Sequence, residues 1–212
     1  MTLPIQADAI RVALLKKYGG IWMDADTIIL NGEIFKILNN FELVMFGEEK
    51  TKVQNIGFIF ASKNSFVINE WLKGIINNVK EFRSIMKNTQ TNKTFINQRR
   101  KFISWNFLGN GIVDVIVKNI SGKRFCRLDR NKLNIFPEIT FFRNSSLNFF
   151  QRYNHFYFQN RDPQIILNVS KSLILLHNSW TPLKYKLMSE KDFLKQEILL
   201  SRLLSEILNN NK

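Results

Sequence analysis

At 212 residues, with 45% hydrophobic and 13% aromatic side chains, the chain is long enough to bury a real core and is no disordered segment. Its single cysteine, Cys126, excludes an internal disulfide and a thiolate zinc cluster, and suits a reducing compartment. The net charge of +14 is uneven: residues 80–132 hold thirteen Lys/Arg against three Asp/Glu, whereas residues 1–79 hold eight of each.

Residues 7–18 have helical periodicity, with Ile10, Ala13 and Leu14 at three- and four-residue spacing. Gly19-Gly20 ends that helix, because glycine accepts the left-handed conformation a C-cap often needs. The start of the chain lacks a basic region followed by an apolar one, since Asp8 and Arg11 interrupt it, so no signal peptide is expected. Ile21-Trp22-Met23 reads as a short buried strand, and residues 27–30 as an extended continuation. Further strands are expected over 42–46 and 55–61.

Residues 67–86 read as a helix, 91–101 as a polar, mobile loop, and 112–120 as a shorter helix opened by Gly109-Asn110-Gly111. The basic middle implies an acidic partner: nucleoside diphosphate, lipid-linked phosphate, anionic membrane or nucleic acid. A solvated lysine-rich surface accounts for it equally well.

Residues 124–160 are expected to form short aromatic strands and turns, and 172–176 an apolar strand entering His177-Asn178-Ser179-Trp180. Residues 190–208 read as one amphipathic helix, with Phe193, Leu194, Ile198, Leu199, Leu203, Leu204 and Ile207 on its apolar side. That helix docks on the domain or, through Lys191, Lys195 and Arg202, lies on an anionic membrane. No apolar run approaches the ~18 residues of a spanning helix. Helices and strands mix throughout, giving an α/β or α+β class in a single domain spanning 1–212.

The informative segment joins Asp8 and Arg11, three apart on one helix face, to Asp24 and Asp26 at the end of a hydrophobic strand. Carboxylates spaced by one residue in extended chain point the same way. Such like charges oppose each other's ionisation unless a cation neutralises them. Mg²⁺ or Mn²⁺ prefers oxygen ligands of this kind and commonly bridges substrate phosphates. The bland reading is a helix-surface ion pair followed by a polar strand exit.

The run Ala-Asp-x-x-Arg, about seven residues, then Gly-Gly-x-x-x-Asp-x-Asp over 7–30 resembles the sugar-binding DXD region of capsular-polysaccharide-type glycosyltransferases and related mannosyltransferase-like enzymes. A looser similarity extends through 55–62 and ends at 177–180. The resemblance implies an α/β GT-A-like fold, a mixed sheet flanked by helices, and a cytoplasmic or peripheral enzyme. That enzyme would move a sugar from a nucleotide-sugar donor to a capsule- or lipopolysaccharide-type acceptor, commonly with retention of configuration, and without nucleic acid as partner.

It further implies that Asp8 and Arg11 hydrogen-bond the donor sugar and steady its diphosphate. Asp24 would contact the sugar or ribose and reach the metal, and Asp26 would bind the metal directly. His177 is a candidate third ligand or a core histidine, and Trp180 a stacking partner for the donor or a packed core tryptophan. Asn55 is a candidate contact to donor or acceptor. Only seven residues precede Asp8, where the family has a β-α-β nucleotide-binding region. The expectation is therefore an N-terminally truncated sheet with an exposed edge and poor donor affinity, with an inactive transferase fragment as the alternative.

Two rivals come from other classes. Asp26 with Glu48-Glu49-Lys50 loosely matches a metal-dependent nuclease pattern. Arg99-Arg100-Lys101 and Lys123-Arg124, interleaved with Phe102, Trp105 and Phe125, suit a single-strand-binding module.

Overall fold

The computed structural model describes residues 3–88, 106–118, 120, 122–170 and 172–210. The loop expected at 91–101 and the Arg99–Arg100–Lys101, Phe102 and Trp105 cluster lie outside them. The chain divides into two compact units, the first formed by 1–24 and 35–129, the second by 25–34 and 130–212.

Unit 1 begins with α1 (Leu3–Tyr18). Gly19, at φ +68°, terminates it, its N–H donating to the Leu15 carbonyl at 2.8 Å. A Cβ on Gly19 would stand 2.7 Å from the Lys63 backbone nitrogen, so the close approach needs glycine as much as the φ does. The chain then enters β1 (Gly20–Met23). After the short α2 (Phe35–Leu38) come β3 (Leu43–Gly47) and β4 (Gln54–Ala61), then α3 (Phe66–Asn88), α4 (Asn110–Val117) and β5 (Cys126–Asp129).

These strands form one mixed sheet of order β1-β4-β3-β5. β4 runs antiparallel to both β1 and β3, and β3 parallel to β5. Alternate residues of the central strands, Leu43 and Met45 with Ile59 and Ala61, enter one core with Val12 and Leu15 of α1, Trp71 of α3 and Val113 of α4. Trp71 is fully buried, and its indole N–H donates to the Leu108 carbonyl at 2.7 Å. This is the expected mixed sheet flanked by helices.

Two expectations about burial are corrected. Ile10, Ala13 and Leu14 are exposed, and α1 faces the core with Ile5, Asp8, Val12 and Leu15 instead. The polar pair Asp8 and Arg11 shares the buried side, so the apolar stripe does not mark it. β1 is a strand, as expected, but an edge strand, and Ile21 and Met23 are exposed.

Unit 2 contains β2 (Thr27–Ile29), paired antiparallel with β6 (Leu173–Leu175). Its helices are α5 (Pro137–Phe141), α6 (Phe149–Tyr157), α7 (Gln164–Leu167), α8 (Leu183–Lys186), α9 (Glu190–Leu194) and α10 (Leu199–Asn210). Of the aromatic strands expected over 124–160 only β5 forms, and it holds no aromatic residue; Phe141, Phe149, Phe150, Tyr153, Phe156 and Tyr157 are helical, and Phe125, Phe136, Phe142 and Phe158 lie between elements. Asn148 and Gln151 form a reciprocal capping box that starts α6. Tyr153, Phe156 and Tyr157 then fall on one helical face and into the core with Ile166, Ile174 and Leu199.

The terminal helix expected over 190–208 is two helices. The Leu199 N–H donates to the Gln159 carbonyl at 2.8 Å rather than to the preceding turn, so the ladder breaks between α9 and α10. α10 docks Leu199, Leu200 and Leu203 into unit 2. Among the described residues no helix is long and apolar enough to cross a membrane.

Candidate functional site

In unit 1 the helix spacing of Asp8 and Arg11 and the strand exit at Asp24 produce one buried polar cluster. Arg11 Nη2 lies 3.4 Å from Asp8 Oδ1 and 3.5 Å from Asp24 Oδ1. Arg11 Nη1 donates to the Ile56 carbonyl of β4, and its guanidinium stands 5.2 Å from the Trp22 ring centroid. Asp8 and Arg11 are only 4% and 5% exposed, whereas the Asp24 side chain is 38% exposed. Arg11 Nε is buried without a hydrogen-bond partner.

Asp24 is oriented from two sides. The Trp22 indole N–H donates to its Oδ1 at 2.8 Å, and Trp22 can do so because residues two apart on a strand share a face. The Asp24 backbone N–H donates to the Gly57 carbonyl at 2.8 Å. A Cβ on Gly57 would meet Asn55 Oδ1 at 3.0 Å and Asp24 Oδ2 at 3.2 Å, so glycine opens the space where these two side chains converge. Asn55 is itself fixed, its Oδ1 accepting the Gly57 N–H at 2.8 Å. Asp24 Oδ2 has no hydrogen-bond partner among the described residues.

Asp8 closes the other end. A Cβ on Gly109, the residue before α4, would stand 2.6 Å from Asp8 Oδ2. Burial pushes the Asp8 carboxyl up to about 6, with Arg11 opposing the rise and Asp24 adding to it. The structure thus gathers Asp8, Arg11, Asp24 and Asn55. Trp22, Gly57 and Gly109 belong to the cluster through long-range packing. Only Trp22 leaves a sequence signal, its two-residue spacing from Asp24.

The other predicted residues lie in unit 2. Asp26 precedes β2, and its Oδ2 accepts the Asn178 N–H at 3.0 Å. The Leu176 N–H donates to its carbonyl at 2.9 Å. Asp26 Oδ1 has no hydrogen-bond partner among the described residues. His177 follows β6 and lies within an aromatic enclosure. It stacks on Phe136 (5.5 Å, 8°), meets Tyr153 edge-on (5.7 Å, 72°) and approaches Trp180 at 4.1 Å. Burial lowers the His177 pKa while the Asp26 charge raises it, the first effect winning, so the imidazole is neutral at pH 7.

Trp180 closes the short 3₁₀ turn Asn178–Trp180. Its carbonyl accepts from Asn154 Nδ2 at 3.3 Å, and its ring packs against Tyr153 at 5.8 Å. Deeper in the unit, Glu138 is 2% exposed and accepts the Tyr157 hydroxyl proton at 3.2 Å. Burial raises its carboxyl to about 7.

Among the described residues no group of three or more His, Cys, Asp or Glu side chains gathers to hold a metal by itself. The chemistry of the donors nevertheless fits a hard divalent ion. Taken separately, Asp24 and Asp26 each keep one carboxylate oxygen unpartnered while the protein fixes the other, and a carboxylate oxygen is the kind of ligand such ions take.

Comparison with known proteins gives one family. Residues 2–136 match the model of the family described as capsular polysaccharide synthesis protein. The match takes in Asp8, Arg11, Asp24, Asp26 and Asn55 and stops short of His177 and Trp180. No curated protein and no solved structure matches the chain.

Proposed function

Since this chain belongs to the capsular polysaccharide synthesis protein family, we propose that it is a transferase that moves a sugar from a nucleotide-sugar donor to a surface-glycan acceptor of capsule or lipopolysaccharide type. The observation that carries the reading is the held carboxylate of Asp24, with Trp22 and Arg11 on one oxygen and the other left for a ligand beside Asn55. Orientation fixed before a ligand arrives lowers the entropy cost of binding it.

In this proposal Asp24 and Asn55 receive hydroxyls of the donor sugar or ribose. Arg11 holds Asp24 in place, and its unpartnered Nε–H is a donor for a hydroxyl or phosphate oxygen. Asp8 anchors Arg11. Asp26 is the principal ligand of a Mn²⁺ or Mg²⁺ ion, with Asp24 two residues earlier in the chain as its Asp-x-Asp partner. His177, neutral and next to Asp26 in its electrostatics, offers a nitrogen ligand, and Trp180 an aromatic edge to the donor. The ion, when bound, would neutralise charge developing on the departing diphosphate. A GT-A-type organisation and retention of configuration extend the proposal from the motif.

Titration of UDP- and GDP-sugars into the protein with Mn²⁺, measured calorimetrically, tests the assignment. Asp26→Asn is expected to abolish metal-dependent binding, and Asp24→Asn to weaken it at least tenfold, with circular dichroism unchanged. Donor binding that survives both substitutions would remove the Asp-x-Asp assignment.

A further inference from the structure

Unit 2 carries an exposed element that the transfer reading does not use. α8 is a single turn over Leu183–Lys186. Leu183 and Leu187, four residues apart on one side of it, are 68% and 77% exposed. Lys184 and Lys186 stand between them and are exposed as well. Tyr185 faces inward, stacking on Phe158 (4.9 Å, 17°) and meeting Phe193 edge-on at 6.0 Å. One half-buried aromatic therefore anchors the turn, and its two leucines stand in water.

The turn's own charges are the two lysines, and the next acidic residues in sequence are Glu190 and Asp192 of α9. Beside the turn lies a cavity of about 220 Å³ whose lining includes Lys184, His155, Asn154 and Gln159. One lysine and two amides line it beside Phe158, Pro182 and Tyr185, and its size suits a phosphate headgroup. α10 has already buried Leu199, Leu200 and Leu203 in unit 2, so that part of its apolar face is not free for a second surface.

We propose that α8 is the contact through which this protein binds an anionic lipid bilayer. Leu183 and Leu187 enter the boundary between headgroups and acyl chains, while Lys184 and Lys186 lie among the lipid phosphates. Paired aliphatic side chains framed by lysines are the chemistry of an interfacial anchor, and each lysine near such a surface adds attraction that salt weakens. This inference does not depend on the transfer reading.

Flotation of the purified full chain with vesicles tests it, comparing phosphatidylglycerol–phosphatidylcholine mixtures with pure phosphatidylcholine. The wild type is expected to float with anionic vesicles only. Leu183→Ser/Leu187→Ser is expected to reduce binding tenfold or more with every charge kept, and Lys184→Ser/Lys186→Ser to reduce it by a similar factor and flatten its salt dependence. Val115→Ser, another exposed apolar position in unit 1, is the control and should float like the wild type. The substituted side chains are all exposed, so thermal melts should coincide. Absence of anionic binding in the wild type, or equal binding by the leucine variant, would overturn the proposal. So would concentration-dependent self-association lost in the leucine variant without any vesicle binding, because the leucines would then serve a second copy of the chain.

Discussion

Asp8 makes the most quantitative prediction. Its carboxyl is almost fully buried and rises from 3.8 to about 6 because desolvation outweighs the Arg11 contact. A raised folded-state pKa means the native protein holds this proton more tightly than the unfolded chain. Between about pH 4 and pH 6 stability must therefore fall as pH rises. A shift from 3.8 to about 6 corresponds to about 3 kcal/mol across that window. Asp8→Asn removes the titration and keeps the shape. Relative to wild type, the variant should gain about 3 kcal/mol between pH 4 and pH 7, whatever constant offset the altered Arg11 contact introduces. Urea unfolding at half-unit pH intervals, followed by tryptophan fluorescence, gives the two curves. Parallel curves across this range would refute the burial argument, and a variant that loses stability toward neutral pH would reverse its sign.

Three further outcomes follow from the same geometry. Gly109→Ala places a Cβ 2.6 Å from Asp8 Oδ2, on a buried side chain whose Oδ1 pairs with Arg11; chemical denaturation should show a loss of about 1–3 kcal/mol, smaller when Asp8→Ala is combined with it. Trp22→Phe retains a ring beside Arg11 but deletes the N–H held by Asp24; donor affinity measured by calorimetry should fall severalfold while stability changes by about 1 kcal/mol. Glu138→Gln should flatten the pH dependence of stability between about 4.5 and 7, since the buried carboxyl rises to about 7 and stability is otherwise lost as pH climbs through that interval.

The Asp8–Arg11 spacing, the glycine pair and the strand leading to Asp24 were legible because each is local, set by helix pitch, left-handed φ or strand alternation. The choice of buried face on α1 was not. Periodicity drew attention to Ile10 and Leu14, yet the core-facing side is the one carrying the charged pair. The aromatic stretch after residue 148 misled for a different reason: aromatics favour strands on average, and the Asn148–Gln151 box overrides that tendency at one point. Break points set by distant partners, such as the Gln159 carbonyl that takes the Leu199 amide, have no local signature. Gly57 and Gly109 matter only because of side chains that approach from other elements.

The central claim is best tested by turnover. The purified chain is incubated with UDP- and GDP-sugars in Mn²⁺, then in chelator, beside Asp24→Asn and Asp26→Asn, and release of sugar or nucleoside diphosphate is followed. Hydrolysis or transfer from at least one donor is expected, stopping with chelator and with either substitution. Turnover that persists in chelator and in both variants would contradict it.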